Sequence, residues 1–194
     1  LQGMADAATM LGLPFLAGDL HIDAALGLPP LLQVFAHAAD MRAPARDPHE
    51  GEVVALVGRM TNDLSGSLYL GTSESFPPPI DLIVEGRVLE IVRQFGGAVP
   101  LGRGGLLLTL ARCCARARLG ARVTLPEAWR SLTPAAVLFG EAQSRFLVFL
   151  PPGRQPELLD LAEPLGVPVE PLGELHGTEL SLDGIINLDV RELQ

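Results

Sequence analysis

Three short segments of this 194-residue chain hold residue types that do chemistry. The first is Gly18-Asp19-Leu20-His21-Ile22-Asp23, directly after an apolar run. Side chains alternate along an extended chain, so Asp19, His21 and Asp23 share one side. Such a face offers oxygen ligands for Mg²⁺ beside a phosphate. The alternative is a polar strand end facing solvent. The second segment is Leu101-Gly102-Arg103-Gly104-Gly105, ahead of an apolar run from Leu106. Glycines let backbone approach a ligand, amides at a helix start attract anions, and Arg103 can clamp a phosphate with its fork of donors. The alternative is a turn with a solvated Arg. The third is Phe139-Gly140-Glu141-Ala142-Gln143-Ser144-Arg145, polar between apolar stretches. Glu141, Gln143 and Ser144 can face a cleft. Alternatively, Glu141 and Arg145 form an ordinary helical pair worth roughly a few tenths of a kcal/mol.

Those segments need elements to hold them. Apolar spacing predicts a helix over 1–11 with Gly12 as its stop. Short strands are expected at 13–17 and 31–37, separated by a loop at 24–30 marked by Gly27, Pro29 and Pro30. The polar, proline-bearing stretch 43–51 reads as a linker. Beyond it the pattern predicts strands at 53–57 and 67–70, a rigid turn at 76–79, and a helix over 82–95 ended by Gly96-Gly97. A glycine-rich loop at 100–105 leads into a strongly apolar helix over 106–119. Strands follow at 122–125, 146–150, 167–172, 179–182 and 185–188, with helical segments at 134–139 and 156–165 and the start of a last helix at 191–194. Alternating strands and helices imply an α/β (α+β) architecture with helices packed on a mixed sheet.

Composition bounds the function. Hydrophobic residues make up 48% of the chain and charged residues 19%, enough apolar surface for a substantial core. All 14 basic residues are Arg, which excludes a Lys nucleophile, a Schiff base and a Walker-type phosphate lysine. The net charge of −9 argues against a nucleic-acid surface. No apolar run reaches membrane-spanning length, and the first residues do not read as a signal peptide. Adjacent Cys113 and Cys114 suit packing in a reducing, cytoplasmic compartment better than a disulfide or zinc. His37, His49 and His176 read as structural or loop residues, and Arg112, Arg116 and Arg118 as the solvated end of a helix. The chain does not begin with Met, so it is expected to be part of something longer.

A family resemblance enters at these same segments. Val137 to Phe146 (VLFGEAQSRF) resembles the LFGESQSR signature of the phosphoribosylformylglycinamidine synthase (PurL) family. Gly3-Met4-Ala5 through Gly18-Asp19, Gly66 to Leu70, Leu165 to Val169 with Leu172-Gly173, and Val190 to Leu193 resemble further family segments in order. The resemblance implies residues 1–46 as the end of an AIR synthase-type N-terminal, ATP-binding domain. It implies 47–194 as an AIR synthase-related (PurM-like) C-terminal domain.

The family uses ATP, Mg²⁺ and glutamine-derived ammonia to turn the amide of formylglycinamide ribonucleotide into an amidine, by way of an activated amide oxygen. In register, the resemblance makes Gly18 an ATP contact, Asp19 a metal ligand and His21 a substrate contact. Arg103, Gly104 and Gly105 fall on the substrate side. Where the family has His-Asp-x-Ser-Asp-Gly-Gly, this chain reads Val99 to Gly105. The glycines survive, the His, Ser and both acids do not, and Arg103 reverses a charge. The family's catalytic histidine lies in a first half outside this chain, so the chain alone is expected to be inactive. Implied partners are a PurQ-like glutaminase and a small PurS-like subunit, with a homodimer as a further option and neither nucleic acid nor membrane. The alternatives are a degenerate scaffolding half of such an enzyme, or another PurM-like ATP-dependent enzyme such as a selenophosphate synthetase or thiamine-phosphate kinase.

Overall fold

The computed structural model describes residues 2–14, 47–71, 76, 78–95, 97–183 and 185–193. By internal contacts the chain forms two units, Leu1–Arg42 and Ala43–Gln194. In the first, helix α1 (Gln2–Met10) stops before Gly12, whose φ of 64° is left-handed. The strand expected at 31–37, most of that at 13–17, and Gly18, Asp19, His21 and Asp23 lie outside the described residues.

The second unit is built on one sheet. In chain order its elements are β1 (Val53–Val57), α2 (Leu82–Val92), β2 (Val99–Pro100), α3 (Gly105–Ala117), β3 (Ala121–Val123), α4 (Pro134–Phe139), β4 (Phe146–Leu150), α5 (Gln155–Ala162), β5 (Val169–Leu175), β6 (Glu179–Leu182) and β7 (Ile186–Asp189). Among the described residues seven strands run in the order β2-β4-β1-β5-β3-β6-β7. Neighbours are antiparallel except β3 and β6, which are parallel. The expected mixed sheet carrying helices is therefore what forms.

Helices cover both faces, which explains why the central strands read as continuous apolar runs rather than alternating ones. Val54 and Leu56 of β1, with Leu147 and Phe149 of β4, join Leu106, Leu110, Cys113 and Cys114 of α3 and Val137 and Leu138 of α4 in one core. The intervening Ala55, Val57, Val148 and Leu150 join Val88, Ile91 and Val92 of α2 and Leu158 and Ala162 of α5 in a second. Local signals start the helices. The Asp81 carboxylate accepts from the Ile83 and Val84 amides, and the Thr133 hydroxyl accepts from Ala136 ahead of Pro134. Arg112, Arg116 and Arg118 lie on the exposed side of α3 and its C-terminus, as expected.

Two expectations need correction. Ser67–Leu70 is a turn, not a strand: the Ser67 amide donates to the Leu64 carbonyl and the Leu70 amide to the Ser67 hydroxyl, so local acceptors take donors a ladder would need. The last helix expected at 191–194 is a single 3₁₀ turn, Val190–Leu193. Among the described residues no helix is long and apolar enough to cross a membrane.

The two thiols are free and buried, as packing residues should be. Burial pushes the Cys114 thiol up to about 12 and raises that of Cys113. For Cys114 the folded state then holds more protons than the unfolded one between the ordinary 9.0 and about 12. Its contribution is intact below the lower value and is lost as pH rises through that window. The urea midpoint should be flat at neutral pH and fall progressively above about pH 9. Iodoacetamide should modify both cysteines only on unfolding, whereas rapid native modification would contradict their burial.

Candidate functional site

The short strand β2 delivers the glycine-rich loop to the start of α3. Val99 and Pro100 pair with Leu147 and Phe146 of β4, and the Leu101 amide donates to the Arg145 carbonyl at 2.9 Å. The chain then turns through Gly102 to Gly104, closed by the Gly105 amide donating to the Gly102 carbonyl at 3.0 Å. Gly104 and Gly105 have φ of 89° and 66°. A Cβ on Gly105 would sit 2.7 Å from the Gly140 carbonyl oxygen and 2.8 Å from that of Leu138. Positive φ and the close approach of α4 both require glycine here, with no ligand invoked.

Helix α3 has no side-chain cap of its own. Its leading amide is satisfied from another segment: the Gly104 N–H donates to Glu141 Oε1 at 2.9 Å. The same oxygen accepts the Leu68 amide at 2.8 Å. The structure thus joins two of the three sequence-identified segments, with a carboxylate at a helix start, where the dipole favours negative charge.

Arg145 overturns the alternative of a Glu141–Arg145 helical pair. Residues 140–145 are not helical, and Arg145 is only 2% exposed. Its Nη2 donates to the Gly140 carbonyl at 2.8 Å, its Nε to that of Ala142 at 3.0 Å, and its Nη1 to Met60 Sδ at 3.1 Å. Among the described residues it has no carboxylate at ion-pair distance. Burial pushes its pKa down to about 10, with the charges of Asp63 and Glu141 acting in the opposite direction. Asp63 is held below its ordinary value chiefly by hydrogen bonding from Ser65. Ser144, at φ 58°, donates its hydroxyl proton to the Glu85 carboxylate.

Arg103 is exposed, and its carbonyl accepts from Arg112 Nη1 at 3.2 Å. Among the described residues its guanidinium forms no ion pair. Gly104 and Gly105 are buried. Gly18, Asp19 and His21 lie outside the described residues, so no convergence with Arg103 is described. No three His, Cys, Asp or Glu side chains converge on a metal position among the described residues.

Sequence reasoning missed a cavity of about 400 Å³ beside this loop, lined chiefly by Leu68, Tyr69, Gly104, Leu107, Leu108 and Phe139. Tyr69 stacks on Phe139 with ring centroids 5.2 Å apart. The signal that could have found it was the run Ser67-Leu68-Tyr69-Leu70, too apolar for a solvated turn.

Residues 85–183 match the family described as AIR synthase related protein, C-terminal domain. Over its whole length the chain is 32% identical to phosphoribosylformylglycinamidine synthase subunit PurL of Thermomicrobium roseum and 30% identical to the subunit of that name from a Bradyrhizobium species. It spans 29% and 28% of those proteins, under a third of their length. Among solved structures, 99% of the chain matches T. maritima PurL complexed with FGAR, at TM-score 0.76, 21% identity and 36% of that chain. The same share matches PurLQS from Thermotoga maritima (TM-score 0.75, 22% identity, 35% of that chain) and T. maritima PurL complexed with ATP (TM-score 0.72, 21% identity, 34%). At these identities the likeness is one of fold.

Arg145→Met would leave the Gly140 and Ala142 carbonyls without their donor. It should destabilise the fold by about 2–5 kcal/mol in urea unfolding. Gly105→Ala should cost at least ~2 kcal/mol through the α4 contact and positive φ. Gly102→Ala, which meets nothing within 4 Å, should stay within about 0.5 kcal/mol of wild type. Equal effects of the two glycine substitutions would contradict the packing account.

Proposed function

Because the chain belongs to the family of AIR synthase related proteins through their C-terminal domain, we propose that it is the C-terminal portion of a phosphoribosylformylglycinamidine synthase. Such an enzyme is an ATP-dependent carbon–nitrogen ligase that makes formylglycinamide ribonucleotide into its amidine with glutamine-derived ammonia. The observation that carries this reading is the match of the entire chain, at 32% identity, to a PurL subunit of which it spans 29%. In this reading residues 1–46 close an N-terminal ATP-binding domain and 47–194 are the C-terminal domain. The division of contacts between Arg42 and Ala43 supports that boundary. Formylglycinamide ribonucleotide and ATP are proposed ligands, supported by the fold shared with T. maritima PurL complexed with each. PurQ-like and PurS-like subunits are proposed partners in a cytoplasmic assembly, supported by the fold shared with PurLQS.

Within the site, Gly18 is proposed to contact ATP, Asp19 to hold Mg²⁺ and His21 to contact substrate. The described residues offer no metal centre of their own, so the metal assignment rests on Asp19. On the substrate side Arg103, which forms no ion pair among the described residues, supplies a cation for a phosphate. Gly104 and Gly105 fix the loop beneath it, their amides already engaged by Glu141 and the Gly102 carbonyl. That engagement favours a second reading: this segment scaffolds a catalytic centre built elsewhere, its own glycine-rich loop converted from ligand binding to packing.

Calorimetric titration of ATP with Mg²⁺ into the isolated chain should give no micromolar binding, and micromolar binding would overturn its proposed inactivity. In the longer protein, Asp19→Ala should weaken nucleotide affinity, and unchanged affinity would reject the metal role. Arg103→Ala should raise KM for formylglycinamide ribonucleotide with little change in kcat if the guanidinium holds the substrate phosphate. An unchanged KM would assign the loop to scaffolding.

A further inference from the structure

We infer that the turn from Gly66 to Gly71 is a strap over the apolar cavity, and that the Glu141 carboxylate latches it to the glycine-rich loop. The strap is bounded by glycines with φ of 67° and 79°. Local bonds shape it: Ser67 N–H to the Leu64 carbonyl just ahead of it, Leu70 N–H to the Ser67 hydroxyl, and Gly71 N–H to the Leu68 carbonyl. Its outer part is apolar yet exposed, with Leu68 43%, Tyr69 57% and Leu70 58% accessible. Leu68 and Tyr69 of the strap line the cavity together with Gly104, Leu107 and Leu108 at the start of α3.

Two contacts described above tie this strap to residues 139–141. Tyr69 stacks on Phe139, and the Leu68 amide donates to Glu141 Oε1. Because that same oxygen accepts the Gly104 amide, one acceptor atom holds both the strap and the glycine-rich loop. A carboxylate oxygen has the lone pairs to take both donors, and charge-assisted bonds of this kind are the stronger class. Glu141 is therefore a positioning residue: it sets the distance between strap and loop, and a displacement of either is transmitted to the other through one atom.

Hydrogen exchange of the whole chain tests this. In Glu141→Ala the Leu68 and Gly104 amides should exchange together, about tenfold faster than in wild type. Binding of an anilinonaphthalene sulfonate dye should rise while the near-ultraviolet signal of Trp129, the single tryptophan, is kept. Glu141→Gln, which retains an accepting oxygen, should restore protection at both amides. Acceleration at Gly104 alone, or no change in dye binding with the fold intact, would overturn the latch. If Glu141→Ala does not fold, Tyr69→Ala decides: this half-exposed side chain can be removed without touching the sheet. Faster exchange at Leu68 and increased dye binding support the strap, and wild-type exchange at Leu68 overturns it.

Discussion

Arg145 is a charge taken out of water for the sake of three backbone and sulfur acceptors. A buried guanidinium with no carboxylate at ion-pair distance among the described residues is costly, and its depressed pKa records that cost. What it secures is the bend from the end of α4 into β4. With the Gly140 and Ala142 carbonyls held from inside, residues 140–145 need neither helix nor strand to stay in place. From that fixed bend the Arg145 carbonyl receives the Leu101 amide, Glu141 reaches the glycine-rich loop and the strap, and Ser144 reaches Glu85 of α2. The end of α4, the loop ahead of α3 and one side chain of α2 are thus tied to one six-residue stretch.

Much of the second unit was legible from residues alone. β1 and β4 are five-residue apolar runs bounded by charged residues, glycine or proline, and α3 carries its core residues at helical spacing. Those elements are decided by local pattern. What failed was decided by which acceptors each group finds, near in sequence and far. Ser67–Leu70 has the composition of a strand, but its amides find a neighbouring carbonyl, a hydroxyl and a carboxylate more than seventy positions away. Glu141 and Arg145 have the spacing of a helical pair, yet Gly140 ends α4 and sends each side chain to a different place.

The glycine-rich loop illustrates how one sequence signal serves two physical ends. Adjacent glycines before a helix are what an anion cradle needs, and also what two closely packed helix ends need. Here the second demand is met in full: Gly105 lies where any side chain would strike α4. The composition could not distinguish these, because the deciding atom belongs to residue 140. Arg103 remains as the part of the loop not consumed by packing.

The pairing of β1 has a consequence for how such a chain is made. It lies inside the sheet, third in the strand order, yet its neighbours β4 and β5 arrive about a hundred residues later. On a ribosome, β1 emerges with apolar side chains on both faces and two bare edges, and waits for most of the unit to be synthesised. Premature termination before β5 would leave that strand half-paired, an adhesive surface for other nascent chains. The C-terminal strands thus act as the finishing clasp of a sheet in which an interior strand was laid down first.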